Sequence, residues 1–359
     1  MIEKIKEKNV WTYLKETDLP IVLYGMGNGT DMVMEKLNEI GVEVADIFAS
    51  DEFVRGHFFR GFKVIKYSDV CEKYDDFVIV VCFAVHDEAM LQKIRTMSEK
   101  HTLFAPNVPI VNDGIFTREF IAEHDDELER AYNLLSDDFS RQSFIDILNF
   151  KVSGKVEYLF KCEKQKEEIY SEYLKLNENE IFMDLGAYDG DTVREFLQAV
   201  DGRYDKIIAV EADEKNYRKL TDKTAGVSNI TTYNLAAWDK KETLFFEKKK
   251  GRNSKLSASG KVEVNADSVD NILAGEKITI LKMDIEGSEE KALDGAKGTI
   301  AKHRPKLYVC AYHRNSDMYR LPLKIHELCA DYKIFFCHHP YIPAWESNFY
   351  CIVDYSTQL

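Results

Sequence analysis

The sequence has 359 residues, which allows two domains, and its composition of 45% hydrophobic and 31% charged residues is typical of a globular protein. A formal net charge of -14 argues against a basic surface that coats nucleic acid, so no nucleic-acid partner is expected. The seven cysteines form no C-x-x-C pair and no long apolar run occurs, which favours a cytoplasmic protein without a transmembrane segment, disulfide framework or zinc ribbon.

The first 113 residues alternate strand and helix signals. A short apolar run at 20–24 is followed by the glycine-bearing loop Gly25–Gly29, by an amphipathic pattern that stops at Gly41, and by apolar runs at 42–48 and 77–83. Strand, glycine loop, helix and strand in this order are typical of a parallel sheet. We therefore predict a smaller Rossmann-like α/β domain at 1–113.

The loop Gly25–Gly29 is a candidate nucleotide site. It departs from G-x-G-x-x-G because its third glycine comes one residue early, and the acidic residue expected about 20 positions later would be Asp46 or Asp51. The loop resembles those of nucleotide- or nucleotide-sugar-sensing modules, but no catalytic set accompanies it. A working nucleotide site and a module that serves only interaction both remain open.

Residues 114–175 differ in composition from the residues before them. Acidic and polar residues dominate, and apolar residues recur at helical spacing at Leu128, Ala131, Leu134 and Leu135. The segment lacks the Pro, Gly and Ser tracts of flexible linkers. We therefore predict a helical connector.

A second βαβ series begins at residue 181. Strands are predicted at 181–185, 206–210, 230–234, 244–247, 278–283 and 306–311, and an antiparallel pair is predicted at 332–337 and 348–353. Helices are predicted at 192–200 and 288–302, the second ended by Pro305. This order predicts a mostly parallel sheet with an antiparallel C-terminal strand in a domain at 176–359.

The loop from Asp184 to Thr192 is the strongest local signal. A buried strand ends in a carboxylate, Gly186 leaves room for a ligand beside the backbone, and Gly190 permits a tight turn. Thr192 and Glu195 form a T-x-x-E pattern that predicts a capping box. The acidic residues suit a ligand with a cationic or amine-bearing end better than a polyphosphate.

Carboxylates also follow two other predicted strands. Glu211 ends the strand after the loop and could accept two hydrogen bonds from a ribose diol. Asp284 and Glu286 lie on alternate residues, so in an extended chain they would point to the same side. They could act as a base, orient a hydroxyl or hold a metal ion, whereas Glu286 could also serve only to cap the next helix.

The stretches DLGAYDGDT, VEAD, NLAAW and KMDIEGSEEKALDGA together resemble the FkbM family of methyltransferases. The resemblance covers about 181 to 312, and the D-x-E-G-x-E stretch is its family-specific part. It implies a class I Rossmann-like methyltransferase fold, S-adenosylmethionine as cofactor, and methylation of hydroxyl oxygens of sugars and natural products.

The resemblance also implies a role for each matching residue. Twelve would bind the cofactor, from its methionine end through the ribose to the adenine: Asp184, Gly186, Ala187, Tyr188, Asp189, Asp191, Thr192, Glu211, Ala212, Asn234, Ala236 and Ala237. Asp284 and Glu286 would face the methyl group and the acceptor as catalytic residues.

A hydroxyl acceptor must lose its proton as the new bond forms, so a base is expected. His313 follows the predicted strand 306–311 and joins Asp284 as a catalytic candidate, with His338 or His339 as weaker ones. No third ligand stands at helical spacing to His338 and His339, so no metal site is predicted. The aromatic loop at 338–348 is a candidate lid over the acceptor.

The predicted function is O-methylation of a sugar, a related hydroxyl-bearing small molecule or a glycan, with S-adenosylmethionine as donor. The alternatives are an NAD(P)-dependent oxidoreductase or a nucleotide-sugar-binding protein that uses Gly25–Gly29. An oxidoreductase would need a Tyr/Lys or His/Asp pair, and the first half offers none. A non-catalytic scaffold is disfavoured by Asp184, Glu211, Asp284 and Glu286. A homo-oligomer is compatible with the sequence.

Overall fold

The computed structural model describes residues 1–108, 113–248, 254–256 and 262–353. In its first part, a four-stranded parallel sheet has the order β2-β1-β5-β6, with a separate β3–β4 hairpin. The strands are β1 (Ile21–Tyr24), β2 (Asp46–Phe48), β3 (Phe58–Phe59), β4 (Phe62–Lys63), β5 (Val78–Val81) and β6 (Thr102–Phe104). The helices are α1 (Val10–Glu16), α2 (Asn28–Glu39), α3 (Tyr67–Lys73) and α4 (Glu88–Ser98).

Helices dominate the next part of the chain. They are α5 (Arg118–Glu123), α6 (Asp125–Asn133), α7 (Asp138–Ser153), α8 (Glu157–Lys161) and α9 (Lys166–Glu168), followed by a π-helical turn at Ile169–Tyr173. The longest, α7, is buried on most of its length and packs on the neighbouring helix α8 and on a C-terminal strand.

The second half is built on a seven-stranded sheet with the order β16-β17-β15-β14-β7-β8-β9. Its strands are β7 (Ile181–Leu185), β8 (Lys206–Val210), β9 (Ile230–Tyr233), β14 (Ile280–Met283), β15 (Lys306–Cys310), β16 (Tyr332–His338) and β17 (Ser347–Val353). All neighbours pair in parallel except β17, which is antiparallel to β15 and β16. The predicted mixed α/β fold with a mostly parallel sheet is confirmed.

A smaller sheet lies beside it, with the order β10-β13-β11-β12. Its strands are β10 (Ala236–Trp238), β11 (Glu242–Lys248), β12 (Ser254–Leu256) and β13 (Val262–Ser268). The remaining helices are α10 (Asp191–Ala199), α11 (Glu214–Thr224), α12 (Val269–Leu273), α13 (Glu289–Asp294), α14 (Lys297–His303) and α15 (Asp317–Leu328). Among the described residues, no helix combines the length and apolarity needed to cross a membrane.

The two halves share a hydrophobic core. One cluster includes Tyr24 and Ile79 of the first sheet together with Met183 and Leu281 of the seven-stranded sheet. Backbone hydrogen bonds also join the halves, because Val85 N donates to Ile342 O at 2.7 Å and Ile342 N donates to Val85 O at 2.9 Å. The loop after β5 is therefore held against the loop between β16 and β17.

Two local predictions were wrong. The predicted helix at 288–302 is two helices, because the Asp270 carboxylate accepts hydrogen bonds from Gly298 N and Thr299 N and so caps a new start at α14. The capping box at Thr192 does not form. Gly190 is the N-cap residue of α10, and the Glu195 carboxylate instead pairs with Lys166 at 3.1 Å.

Candidate active site

The carboxyl ends of the parallel strands β7, β8, β9, β14 and β15 meet at one edge of the large sheet, where ligands of such sheets bind. A cavity of about 1140 Å³ opens there, slightly larger than most ligand pockets. Its lining includes nine of the twelve predicted cofactor residues: Gly186, Tyr188, Asp191, Thr192, Glu211, Ala212, Asn234, Ala236 and Ala237.

The other three predicted cofactor residues do not line this cavity as the structure describes it. Asp184 and Ala187 are fully buried. Asp189 turns its carboxylate away to ion pairs with Lys223 and with Arg194. The three predicted catalytic residues, Asp284, Glu286 and His313, all belong to the lining.

Asp184 forms a buried ion pair beneath the cavity. Its Oδ1 lies 2.9 Å from Lys282 Nζ, and the two side chains are 0% and 3% exposed. Burial alone would lower the pKa of Lys282, but the carboxylates of Asp184 and Asp284 raise it above its usual value. The ammonium therefore stays charged and joins the ends of β7 and β14.

Gly186 is required by the close approach of two loops. Its φ is +80°, and a Cβ at this position would overlap the carbonyl oxygen of Asp284. A side chain here would push the 184–192 loop away from the end of β14. The glycine therefore brings the cofactor-side loop against the Asp284 turn.

The Glu211 carboxylate forms hydrogen bonds with the backbone at Tyr188 and Asp213. Its two carboxylate oxygens accept N–H bonds from Tyr188 at 2.9 Å and Asp213 at 2.7 Å, and the Asn234 amide donates to the Glu211 carbonyl at 2.8 Å. Burial raises the pKa of Glu211 to about 7, although the two N–H donors oppose this shift. The carboxylate keeps free lone pairs toward the cavity, because each oxygen can accept more than one hydrogen bond.

The chain leaves strand geometry directly after β14, so the premise that Asp284 and Glu286 lie on an extended segment was wrong. Glu286 has φ +56°, in the left-handed region. Both carboxylates nevertheless face the same imidazole, because His313 Nε2 lies 3.4 Å from Asp284 Oδ1 and 3.8 Å from Glu286 Oε2. The turn after β14, and not the alternation of side chains along an extended strand, brings the two carboxylates together.

Glu289 and Tyr312 complete this cluster, and neither had a predicted role. Glu289 is 1% exposed; its Oε1 accepts N–H bonds from Ile285 at 3.0 Å and Gly287 at 3.4 Å and lies 3.0 Å from His313 Nδ1. Tyr312 donates its hydroxyl to Asp284 Oδ1 at 2.9 Å. Two sequence features could have identified them: Glu289 is the final Glu of D-x-E-G-x-E, and Tyr312 is adjacent to His313.

The charges of this cluster shift its ionisation. Burial would lower the pKa of His313, but Glu289, Asp284 and Glu286 outweigh it and raise the pKa to about 10. Burial would raise the pKa of Asp284, but Lys282 and His313 hold it below its usual value. At neutral pH the site therefore contains an ionised Asp284 next to a protonated imidazole.

His338 and His339 are held inside the protein. His338 Nε2 lies 2.8 Å from the Tyr341 carbonyl oxygen, and His339 Nδ1 lies 2.7 Å from the Lys164 carbonyl oxygen. Burial lowers the pKa of His338 to about 4 and that of His339 to about 3. Both imidazoles are neutral and positioned by backbone contacts, which fits a structural role better than that of a base.

The far wall of the cavity is aromatic and comes from both halves of the chain. His86 from the loop after β5 and Glu88 at the start of α4 line it together with Tyr341 and Trp345. The His86 and Tyr341 rings stack at 5.9 Å between centroids with an interplanar angle of 16°. The Val85–Ile342 backbone bonds hold this wall in place.

The glycine loop of the first half has a packing role. A Cβ at Gly29 would overlap the carbonyl oxygen of Cys82, and a Cβ at Gly25 would lie 2.8 Å from the Phe83 ring. Asp46 begins β2, at the sheet edge opposite the loop, and is bonded to Lys73 and Tyr74. It therefore cannot hold the ribose of a nucleotide bound at this loop.

Comparison with known proteins finds similarity to one family of methyltransferases. The model of the Methyltransferase FkbM domain matches residues 184–333. No curated protein sequence matches the chain. A solved structure of methyltransferase FkbM from Methylobacillus flagellatus is similar over 95% of this chain and 92% of that one, with a TM-score of 0.71 and 23% identity. The fold is therefore shared over both halves.

Two other solved structures cover about half of the chain. An rRNA methylase from Streptococcus thermophilus is 12% identical, with a TM-score of 0.36, and covers 52% of this chain and 93% of that one. Fibrillarin from Aeropyrum pernix, solved with natively bound S-adenosyl-L-methionine, is 12% identical, with a TM-score of 0.34, and covers 52% of this chain and 73% of that one.

Proposed function

We propose that the chain transfers a methyl group from S-adenosylmethionine to a hydroxyl oxygen of a sugar or a related polyol, since the model of the Methyltransferase FkbM domain matches residues 184–333. The main observation in support is the cavity at the strand ends. Its lining includes the buried Glu211 after β8 and Asp284 after β14. A donor and an acceptor can meet between these two carboxylates.

The residues around Glu211 fit S-adenosylmethionine. The remaining lone pairs of the Glu211 carboxylate suit the two ribose hydroxyls, and Ala236 and Ala237 offer an apolar surface for the adenine. Asp191 at the start of α10 suits the ammonium group of the methionine part. The acidic lining as a whole favours a ligand that carries positive charge.

When bound, S-adenosylmethionine supplies a methyl group on an electrophilic sulfonium. The residues of the chain then act mainly by position, since alignment of the reacting atoms accounts for much of the acceleration of such transfers. Asp284 is ionised, faces the cavity and is fixed by the Tyr312 hydroxyl. We assign Asp284 as the base that accepts the proton of the acceptor hydroxyl. Glu286 would orient that hydroxyl.

The aromatic wall supports a polyol acceptor. His86, Tyr341 and Trp345 present flat apolar surfaces that suit the C–H faces of a sugar ring, and the Glu88 carboxylate can accept hydrogen bonds from its hydroxyls. This division assigns the donor to the β7–β9 side of the cavity and the acceptor to the wall that both halves build.

Binding of S-adenosylhomocysteine tests the donor assignment. We expect it to raise the melting temperature of the wild-type protein, because a ligand at 100 times its Kd stabilises the folded state by about 2.7 kcal/mol. Glu211→Gln should lose most of this shift, since the amide replaces one acceptor oxygen and the charge. The matched control is Glu178→Gln, a 61% exposed carboxylate paired with Arg203.

A melting shift with NADH but none with S-adenosylhomocysteine would refute the proposal. The acceptor class is tested separately, by transfer of a labelled methyl group from S-adenosylmethionine to a panel of methyl glycosides and cyclitols. Labelling of amine or thiol compounds in place of these hydroxyl compounds would overturn the assignment of oxygen as the accepting atom.

A further inference from the structure

The cluster behind Asp284 contains buried polar atoms whose bonding is incomplete. Glu289 Oε2 and His313 Nδ1 are buried, and among the described residues neither has a hydrogen-bond partner with good geometry. The residues that carry them are 1% and 3% exposed. Buried polar atoms are nearly always satisfied by protein, water or an ion, so these two atoms are available to a ligand.

The distances in this cluster fit a small cation. His313 Nδ1 lies 3.0 Å from Glu289 Oε1 without forming an aligned hydrogen bond. Two ligand atoms at right angles on a cation, each about 2.1 Å from it, are about 3.0 Å apart. One ligand atom from each of Asp284, Glu289 and His313 also lies within 4.8 Å of the others. One imidazole and two carboxylates are a ligand set used for divalent metals.

The electrostatic balance of the cluster favours the same conclusion. Asp284 and Glu289 are carboxylates beside one imidazole, and the nearest lysine, Lys282, is 4.0 Å from Asp284 but 2.9 Å from Asp184. That ammonium mainly neutralises Asp184. A cation between Asp284, Glu289 and His313 would take the place of the proton that these carboxylates otherwise hold on the imidazole.

We propose that Asp284, Glu289 and His313 bind a divalent cation of the Mn²⁺ or Zn²⁺ kind. Asp284 is the ligand at the cavity surface, whereas Glu289 and His313 are buried behind it. On the proposed function, which this role rests on, the cation would lie beside the acceptor hydroxyl and lower its pKa, as bound metals do for water. The proposal departs from the sequence-based prediction of no metal site.

Direct binding of Mn²⁺ and Zn²⁺ to the full chain tests the site. Mn²⁺ binding is followed by loss of the free-ion electron paramagnetic resonance signal, and Zn²⁺ binding by titration calorimetry. We expect one ion per chain for the wild type. Glu289→Gln keeps an oxygen that can accept the Ile285 and Gly287 N–H bonds but loses the charge, and should weaken binding at least about tenfold. Asp284→Asn and His313→Gln should do the same.

The control is Glu290→Gln, which removes the adjacent but exposed carboxylate paired with Arg320 and should leave the ion affinity unchanged. Failure to bind either ion up to about 1 mM, the weak end of functional cation sites, would overturn the proposal. So would binding that all three cluster variants retain. A rise in melting temperature with S-adenosylhomocysteine shows that the same variants are folded. If the wild-type protein shows no such rise, the donor assignment is refuted and the metal site is not.

Discussion

At the residue scale, Glu211 is subject to two opposed influences. Burial favours its protonated form, whereas the N–H groups of Tyr188 and Asp213 favour the carboxylate. Burial is the larger influence and raises the pKa from its usual value of 4.5 to about 7. In the free protein, the stability contributed by this group is present below pH 4.5 and is lost as the pH rises to about 7.

This shift predicts that S-adenosylhomocysteine binding strengthens with pH. The ribose hydroxyls donate to the ionised carboxylate, so the ligand selects the form that dominates above pH 7. We expect the affinity at pH 8 to exceed that at pH 6 by about tenfold, because the ionised fraction changes by about that factor. Titration calorimetry at the two pH values measures it. The Glu211→Gln variant should bind weakly and equally at both, and an unchanged wild-type affinity would argue against Glu211 as the ribose ligand.

At the element scale, the ion pair between Asp184 and Lys282 ties β7 to β14. Breaking a buried pair leaves one charge without compensation, which destabilises proteins by about 3–5 kcal/mol. We expect Asp184→Asn to lower the free energy of unfolding by about that amount in urea titrations. The control is Glu276→Gln, which removes the exposed pair with Lys206 and should change stability by about 1 kcal/mol or less. Equal effects of the two substitutions would refute a structural role for Asp184.

Elements with local causes were predictable from the sequence. The strands at 181–185 and 206–210 have their predicted bounds, because a mostly apolar run between turn residues depends on few distant contacts. The split of helix 288–302 was not predictable, since the cap on α14 comes from Asp270, which is remote in sequence. The roles of Glu289 and His86 were not predicted for the same reason. Their contacts with His313 and Tyr341 exist only once distant segments are packed together.

At the scale of the whole molecule, the first half helps to build the cavity of the second. His86 lies on the wall that we assign to the acceptor, and the donor residues lie across the cavity. The sequence indicated a separate Rossmann-like domain with an uncertain nucleotide loop. The structure adds that the loop after β5 reaches the C-terminal aromatic loop, a contact between segments more than 250 residues apart in sequence.

This arrangement predicts that His86→Ala affects the acceptor and not the donor. Loss of one aromatic surface weakens such contacts by about 0.5–1.5 kcal/mol, so the KM for a methyl glycoside acceptor should rise about 2- to 10-fold. The S-adenosylhomocysteine melting shift should not change. Steady-state kinetics with the labelled donor measures the first quantity. The control is His57→Ala, a histidine of the first half outside the cavity lining. A reduced melting shift with an unchanged KM would contradict the assignment.

The contact between Val85 and Ile342 also bears on how acceptor preference can diverge during evolution. Both residues lie in loops, which tolerate substitution and insertion better than strands do. Their two hydrogen bonds join backbone atoms and do not depend on side-chain identity. On the proposed function, neighbouring residues such as His86 can therefore be exchanged while the loop keeps its place. Selection can then change which hydroxyl is methylated and leave the donor site as it is.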